Sequence, residues 1–208
     1  MPIPSLSGVV LAGGRSTRMG RDKARLQVGG QPLWRRQVRL LEACGAQPVL
    51  LALRPRQRSL GAPGREIRDQ VREAGPLGGL AAALETSTAE WLAVLAVDLP
   101  AMEPAWFRRL LKECRPGRGA VFLSSHGYEP LAAIYPREAA PAAARRLKRG
   151  RLALQGLVRE LIGARQLAEV RLPRPFAAMA ANWNAPADWP GRAAVRPRPE
   201  PAGAARRR

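Results

Sequence analysis

The stretch from Leu11 to Lys23, LAGGRSTRMGRDK, gathers Arg15, Arg18, Arg21 and Lys23 behind two glycines, Gly13 and Gly14. Glycines after a strand let the backbone approach a ligand closely, and the N–H groups of such a turn form a nest for anions. Four cations there suit a triphosphate: guanidinium forks grip non-bridging oxygens, and Lys23 acts as a point charge. The pattern is neither the GxxxxGK[ST] phosphate loop nor the GxGxxG dinucleotide fingerprint. A basic surface turn is the plainer alternative, but a turn needs no such density of charge. A second stretch, Leu95 to Pro100 (LAVDLP), places Asp98 at the end of an apolar run. In an open α/β sheet, ligands sit at that end of a central strand. A carboxylate facing phosphates there is a hard-oxygen ligand for Mg2+. A turn or helix-capping aspartate before Pro100 is the alternative, and the two roles are compatible.

Three further stretches carry less. Gly75 to Gly79 (GPLGG) brings glycines, Gly78 among them, to a helix start, which serves close backbone approach or packing alike. Asp69 follows Arg65-Glu66-Ile67-Arg68, where a solvated surface carboxylate is the default. Asn182 to Asp188 (NWNAPAD) offers the amides of Asn182 and Asn184, with an Asx-turn as the structural alternative.

The elements that must position these residues alternate between strand and helix, which predicts an α/β fold: a single Rossmann-like domain whose mostly parallel, mixed central sheet is flanked by helices. Strands are expected at Gly8–Ala12, Val49–Leu53, Trp91–Val97, Ala120–Leu123 and Leu131–Tyr135. Helices are expected at Pro32–Cys44, Pro76–Leu84, Pro104–Cys114, Glu138–Lys148 and Leu154–Leu161. Residues 1–189 then form the domain. From Pro190 onward almost no large apolar residue remains, and that composition is expected to give a disordered tail, 190–208.

Bulk properties narrow the function further. At 208 residues, 46% apolar and 25% charged, the chain is long enough to bury a sizeable core. No apolar run reaches membrane-spanning length, and the first residues lack a signal peptide's basic start, so the expected location is the cytoplasm. Cys44 and Cys114 lack partners at metal-ligand spacing and read as reduced core thiols; His126 reads as a surface loop residue. The net charge is +19, but only Lys23, Lys112 and Lys148 are lysines, which points to a compositional bias toward arginine. The cations are scattered and aromatics make up only 5%, a poor match to a nucleic-acid surface.

In order and spacing these stretches resemble the molybdenum cofactor guanylyltransferase family. GVVLAGGRSTRMGRDKA from Gly8, Gln31-Pro32-Leu33, Asp69 with GPLGG, VDLP, EPLAAIYP (Glu129 to Pro136) and NWNAPAD carry the resemblance, which spans about Gly8 to Trp189. Relatives that use CTP tend to have Ala-Gly after the leading Leu-Ala, so the Gly13-Gly14 pair looks like that of a guanine user. The resemblance implies transfer of GMP from GTP to a molybdenum-loaded pterin, with Mg2+ as cofactor, and transient contact with other molybdenum-cofactor proteins. It implies that Leu11, Ala12 and Gly13 receive the guanine through backbone groups, with Gly14 in the same turn. Lys23 would hold phosphates with Arg15 and Arg18, Asp69 would contact the nucleotide, and Asp98 would hold the metal. Gly78, Asn182 and Asn184 would line the pterin side. One departure stands out: where the family can place an Asn at the end of the second strand, this chain has Leu51-Ala52-Leu53-Arg54. Three alternatives remain open: a transferase using CTP or charging a sugar or alcohol phosphate, a non-catalytic GTP-binding module, and a basic nucleic-acid-binding protein.

Overall fold

In chain order the elements are β1 (Leu6–Leu11), β2 (Gln27–Val28), β3 (Gln31–Pro32), α1 (Leu33–Glu42), β4 (Val49–Leu53), β5 (Glu66–Arg68), α2 (Gly75–Thr86) and β6 (Trp91–Ala96). There follow α3 (Pro104–Leu111), β7 (Gly119–Ser124), β8 (Gly127–Tyr128), β9 (Ala132–Pro136), α4 (Ala140–Lys148), α5 (Leu154–Gly163) and β10 (Leu167–Arg171). The computed structural model describes residues 5–13, 22–62, 64–69, 71 and 73–181.

The main sheet runs β10-β7-β9-β6-β1-β4-β5, with β8 paired to β7. β9 lies antiparallel to β6 and β7, while the pairings β1–β4, β1–β6, β4–β5 and β7–β10 are parallel. The expected α/β class, mixed and mostly parallel, is the observed one. β6, and β1 from Gly8 onward, read as unbroken runs without a polar side chain because both of their faces are covered. Val10 and Leu95 point into a core shared with Leu33 and Leu41 of α1 and Trp106 of α3. Val9 and Val94 point the other way, toward Leu77 and Leu80 of α2 and Leu157 of α5. The period-two alternation of a strand thus divides one sequence run between two hydrophobic cores.

Several boundaries move by a few residues. The predicted helix from Pro32 begins at Leu33, because Pro32 belongs to the β2–β3 hairpin, whose two-residue turn needs positive φ at Gly29 and Gly30. α2 begins at Gly75 and runs through Thr86; α3 stops at Leu111. A 3-10 turn, Arg137–Ala139, precedes α4 where one continuous helix was expected. Two edge strands, β5 and β10, were not anticipated: Glu66-Ile67-Arg68 is too short to show a period, and Glu169 and Arg171 break the apolar run of β10. His126 is exposed and both cysteines are free thiols. Burial pushes the Cys114 thiol up to about 12, which suits an inert core residue. Among the described residues, no helix is long and apolar enough to cross a membrane. The 190–208 segment, expected to be a tail, lies outside the described residues.

Candidate active site

Because β9 runs opposite to its neighbours, its amino end shares an edge with the carboxyl ends of β1, β4, β5 and β6. That edge opens into a cleft of about 1150 Å³, bounded by Leu11 to Gly13, Leu53 to Gln57, Asp69, Val97, Asp98 and Leu131. The cleft therefore lies where ligands sit on open α/β sheets, at the carboxyl ends of the parallel strands.

The backbone beside β1 is already hydrogen-bonded. Ala12 donates its N–H to Ala52 O at 3.0 Å, and Leu11 O accepts from the Val97 N–H at 3.2 Å. Ala12 O accepts from Gln57 Nε2 at 3.0 Å. Each of these carbonyls keeps a second lone pair. Gly13 does not adopt a positive φ, so its value lies in space: an added Cβ would meet Arg54 Cγ at 3.2 Å and Arg54 N at 3.4 Å. Arg54, which stands just past the strand end where an Asn was expected, therefore packs against the glycine turn.

Lys23 opens a 3-10 turn, Lys23–Arg25, whose N-cap is Asp22: Asp22 Oδ1 accepts the Ala24 N–H at 3.0 Å. This cap directs Lys23 across the cleft, where its Nζ lies 3.7 Å from Asp98 Oδ2. Asp98 sits in the turn after β6 and does not cap a helix; α3 starts from Glu103. The two side chains are 14% and 28% exposed, so the pair is shielded yet reachable. That combination leaves a cation and a hard anionic ligand facing one space, as a metal–polyphosphate substrate requires.

Asp69 departs from the default of a solvated surface carboxylate. It is buried, its N–H donates to Leu53 O at 3.0 Å, and its Oδ1 accepts the Val71 N–H at 2.8 Å. Burial pushes its carboxyl above the usual aspartate range, against the opposing effect of the Val71 hydrogen bond. Gly78 explains how a carboxylate fits there: a Cβ on Gly78 would lie on top of the Asp69 carboxyl group. Gly79 serves a different contact, since its Cβ would press on Ala52 Cβ and Leu11 Cδ2, both at 3.1 Å. Gly75, Pro76 and Gly79 border the main cleft, whereas Gly78 lies behind Asp69 and borders a depression of about 330 Å³ alongside α2 and α4. Gly78 thus makes room for the Asp69 carboxyl and borders the depression next to the main cleft.

Leu11, Ala12, Gly13, Lys23, Asp69 and Asp98 are thus brought together at one edge. Gly14, Arg15, Arg18, Arg21, Asn182 and Asn184 lie outside the described residues. Sequence reasoning missed Gln57, Arg56 and Glu73 in the cleft wall. Glu73 carried one signal only in three dimensions: a φ of 62°, held by a non-glycine residue just before the Gly75 turn into α2.

An open α/β sheet with a lysine–carboxylate pair at the carboxyl ends of its central strands is the architecture of a nucleotide-handling enzyme. The chain belongs to the MobA-like NTP transferase domain family, whose pattern matches residues 8–169. It is 48% identical over 187 residues to a protein of Opitutus terrae named "Probable molybdenum cofactor guanylyltransferase", covering 88% of this chain and 93% of that one. Its fold matches the crystal structure of molybdopterin-guanine dinucleotide biosynthesis protein A from Archaeoglobus fulgidus, with a TM-score of 0.67, 22% identity and coverage of 88% and 94%. It also matches 2-C-methyl-D-erythritol 4-phosphate cytidylyltransferase from Thermus thermophilus, with a TM-score of 0.65, 20% identity and coverage of 88% and 95%. Since one fold accompanies both a guanine and a cytidine name, the choice of base must come from side chains and loop geometry.

Proposed function

We propose that this protein transfers GMP from GTP to the terminal phosphate of a molybdenum-loaded pterin, forming the guanine dinucleotide cofactor and releasing pyrophosphate. The observation that carries the chemistry is the Lys23–Asp98 pair at the open strand edge; the choice of substrates follows the relative that is 48% identical. A pterin phosphate oxygen attacks the α-phosphorus of GTP in line, a new P–O bond forms, and the bridging bond to the β-phosphate breaks. Catalysis then consists of holding two anions in position and neutralising the charge that moves onto the leaving group.

The residues present fit a magnesium site of the kind shared with substrate, since Mg2+ is commonly held by one or two carboxylates and completed by phosphate oxygens. Asp98 would hold the ion, which when bound supplies charge neutralisation and orientation at the phosphates. Lys23 places a positive charge on the same phosphates, joined in this reading by Arg15 and Arg18. Leu11 and Ala12 border the cleft, and the second lone pairs of their carbonyl oxygens would suit the N1–H and N2–H donors of guanine. In this reading Asp69, which borders the cleft, contacts the nucleotide, and Gly78, Asn182 and Asn184 line the pterin side. In this reading the reaction takes place in the cytoplasm and involves no nucleic acid.

Incubating the protein with molybdenum-loaded pterin, Mg2+ and either GTP or CTP tests this reading. Pyrophosphate and a guanine dinucleotide should appear with GTP at least tenfold faster than the corresponding products with CTP. A preference for CTP, or saturable GTP binding without turnover, would replace the reading with one of its rivals.

A further inference from the structure

Ala12, just after β1, and Asp22, just before the Lys23 turn, flank the stretch of sequence that carries Arg15, Arg18 and Arg21. One side chain from a different part of the chain touches both points. Gln57 Nε2 donates to Ala12 O at 3.0 Å and to Asp22 Oδ2 at 2.9 Å. Gln57 Oε1 accepts the Arg54 N–H at 3.1 Å, and Gln57 O accepts from Arg68 Nη1 at 2.9 Å. The residue is 7% exposed, and both protons of its amide nitrogen have acceptors. A buried amide satisfied in this way has one orientation.

We infer that Gln57 is a positioning residue for nucleotide binding: its amide nitrogen ties Ala12 to Asp22, holding the Ala12 carbonyl at the cleft in register with the turn that aims Lys23. Ala12 lies beyond the last paired residue of β1, Leu11, so the ladder to β4 and β6 does not by itself orient its carbonyl. Asp22 in turn uses its other oxygen to cap the Lys23 turn, so a shift at Asp22 passes directly to the lysine. The same segment holds Arg54 against Gly13, which gives the stretch past Leu53 a role in place of the missing Asn. The inference rests on the proposal that this cleft binds a nucleoside triphosphate.

Three variants of the full chain test it, each checked for an intact melting transition. Gln57→Met keeps length and bulk but removes the donors. It should raise the KM for GTP, and the Kd for GTP with Mg2+ by calorimetry, about tenfold, with kcat within about threefold of wild type. Gln57→Glu turns a carboxylate toward Ala12 O and Asp22; its binding defect should exceed that of Gln57→Met at pH 8. The defect should shrink several-fold toward pH 6, as protonation restores one donor. Asp22→Asn removes one acceptor from the other side, and combining it with Gln57→Met should add little to either alone. An unchanged KM and Kd in Gln57→Met, with only a lower melting temperature, would reduce Gln57 to a packing residue. That outcome is distinct from failure of the proposed function, which would appear in the wild-type protein as a preference for another triphosphate; the same variants read against that triphosphate still decide the role of Gln57.

Discussion

The two ends of the sheet are built from the same kind of apolar strand and finished in opposite ways. After β1, β4, β5 and β6 the chain continues with glycine, arginine and aspartate, and the strand edge stays open as a cleft. After β7 the chain reverses at once into β8, with Ser124 Oγ donating to Gly127 O at 2.9 Å. After β10 a 3-10 turn, Arg174–Ala180, folds back so that Phe176 stacks on Trp106 at 6.1 Å and meets Phe122 edge-on at 6.0 Å. One end is left open for a ligand, whereas the other is filled with aromatic side chains. Substitutions at the closed end should therefore be felt as stability, and those at the open edge as turnover.

The largest expected effect falls at the closed end. Trp106 is fully buried, packs against Phe122 at 4.7 Å and donates its Nε1–H to Ala132 O at 2.7 Å. Trp106→Ala should cost about 3–5 kcal/mol and lower Tm by on the order of 10 °C, while kcat measured well below Tm stays within about threefold. A collapse of kcat in a protein with unchanged Tm would erase the division between the two ends.

Next in size is Asp98→Asn at the open edge. The fold should remain intact, because the Asp98 side chain is part-exposed and pairs with the cleft's Lys23, but turnover should fall on the order of a hundredfold or more. Near-wild-type turnover in the folded variant would remove Asp98 from the chemistry.

Much of this contrast was legible before the structure. The place of Asp98 at the cleft could be read because it follows a run buried on both faces, at the carboxyl end of a central strand. Lys23 stood out because four cations crowd one short stretch of sequence. Gln57 did not: a single glutamine four residues beyond β4, among arginines, has neither a period nor a charge to mark it, and its partners lie 45 and 35 residues away. The contact of Gly78 with the Asp69 carboxyl was hidden for a related reason, since a glycine that makes room for a ligand and one that makes room for a neighbouring carboxylate look the same in sequence. β5 and β10 were missed because edge strands need only one apolar face and these are short and charged.

Gly13→Ala probes the open edge more finely. The methyl group would press on Arg54 and occupy the space beside the base-facing carbonyls; since φ is not positive there, the backbone itself should tolerate it. The kcat/KM for GTP should fall by about tenfold, near 1.4 kcal/mol, with a smaller loss for CTP. An unchanged ratio of the two would show that this turn does not read the base.

The smallest effect concerns Asp69. Its folded pKa is raised, so its favourable contribution is complete below the ordinary aspartate value of about 3.9 and is lost as pH rises through the folded value. Asp69→Asn removes that dependence while keeping an acceptor for the Val71 N–H. The variant should therefore melt a few degrees above wild type at pH 7, with the gap closing below about pH 4. A gap independent of pH would mean that burial does not strain this carboxylate.

The central claim is nucleotidyl transfer at the open edge, and the fate of labelled phosphorus tests it most directly. With molybdenum-loaded pterin, Mg2+ and GTP labelled at either the α- or the γ-phosphorus, the account predicts that the α label enters the pterin product and the γ label leaves as pyrophosphate. It also predicts that Asp98→Asn abolishes both. Release of the γ label as inorganic phosphate, with no α label in the pterin, would contradict the account, because the cleft would then be a GTP-hydrolysing or sensing site and not a transferase.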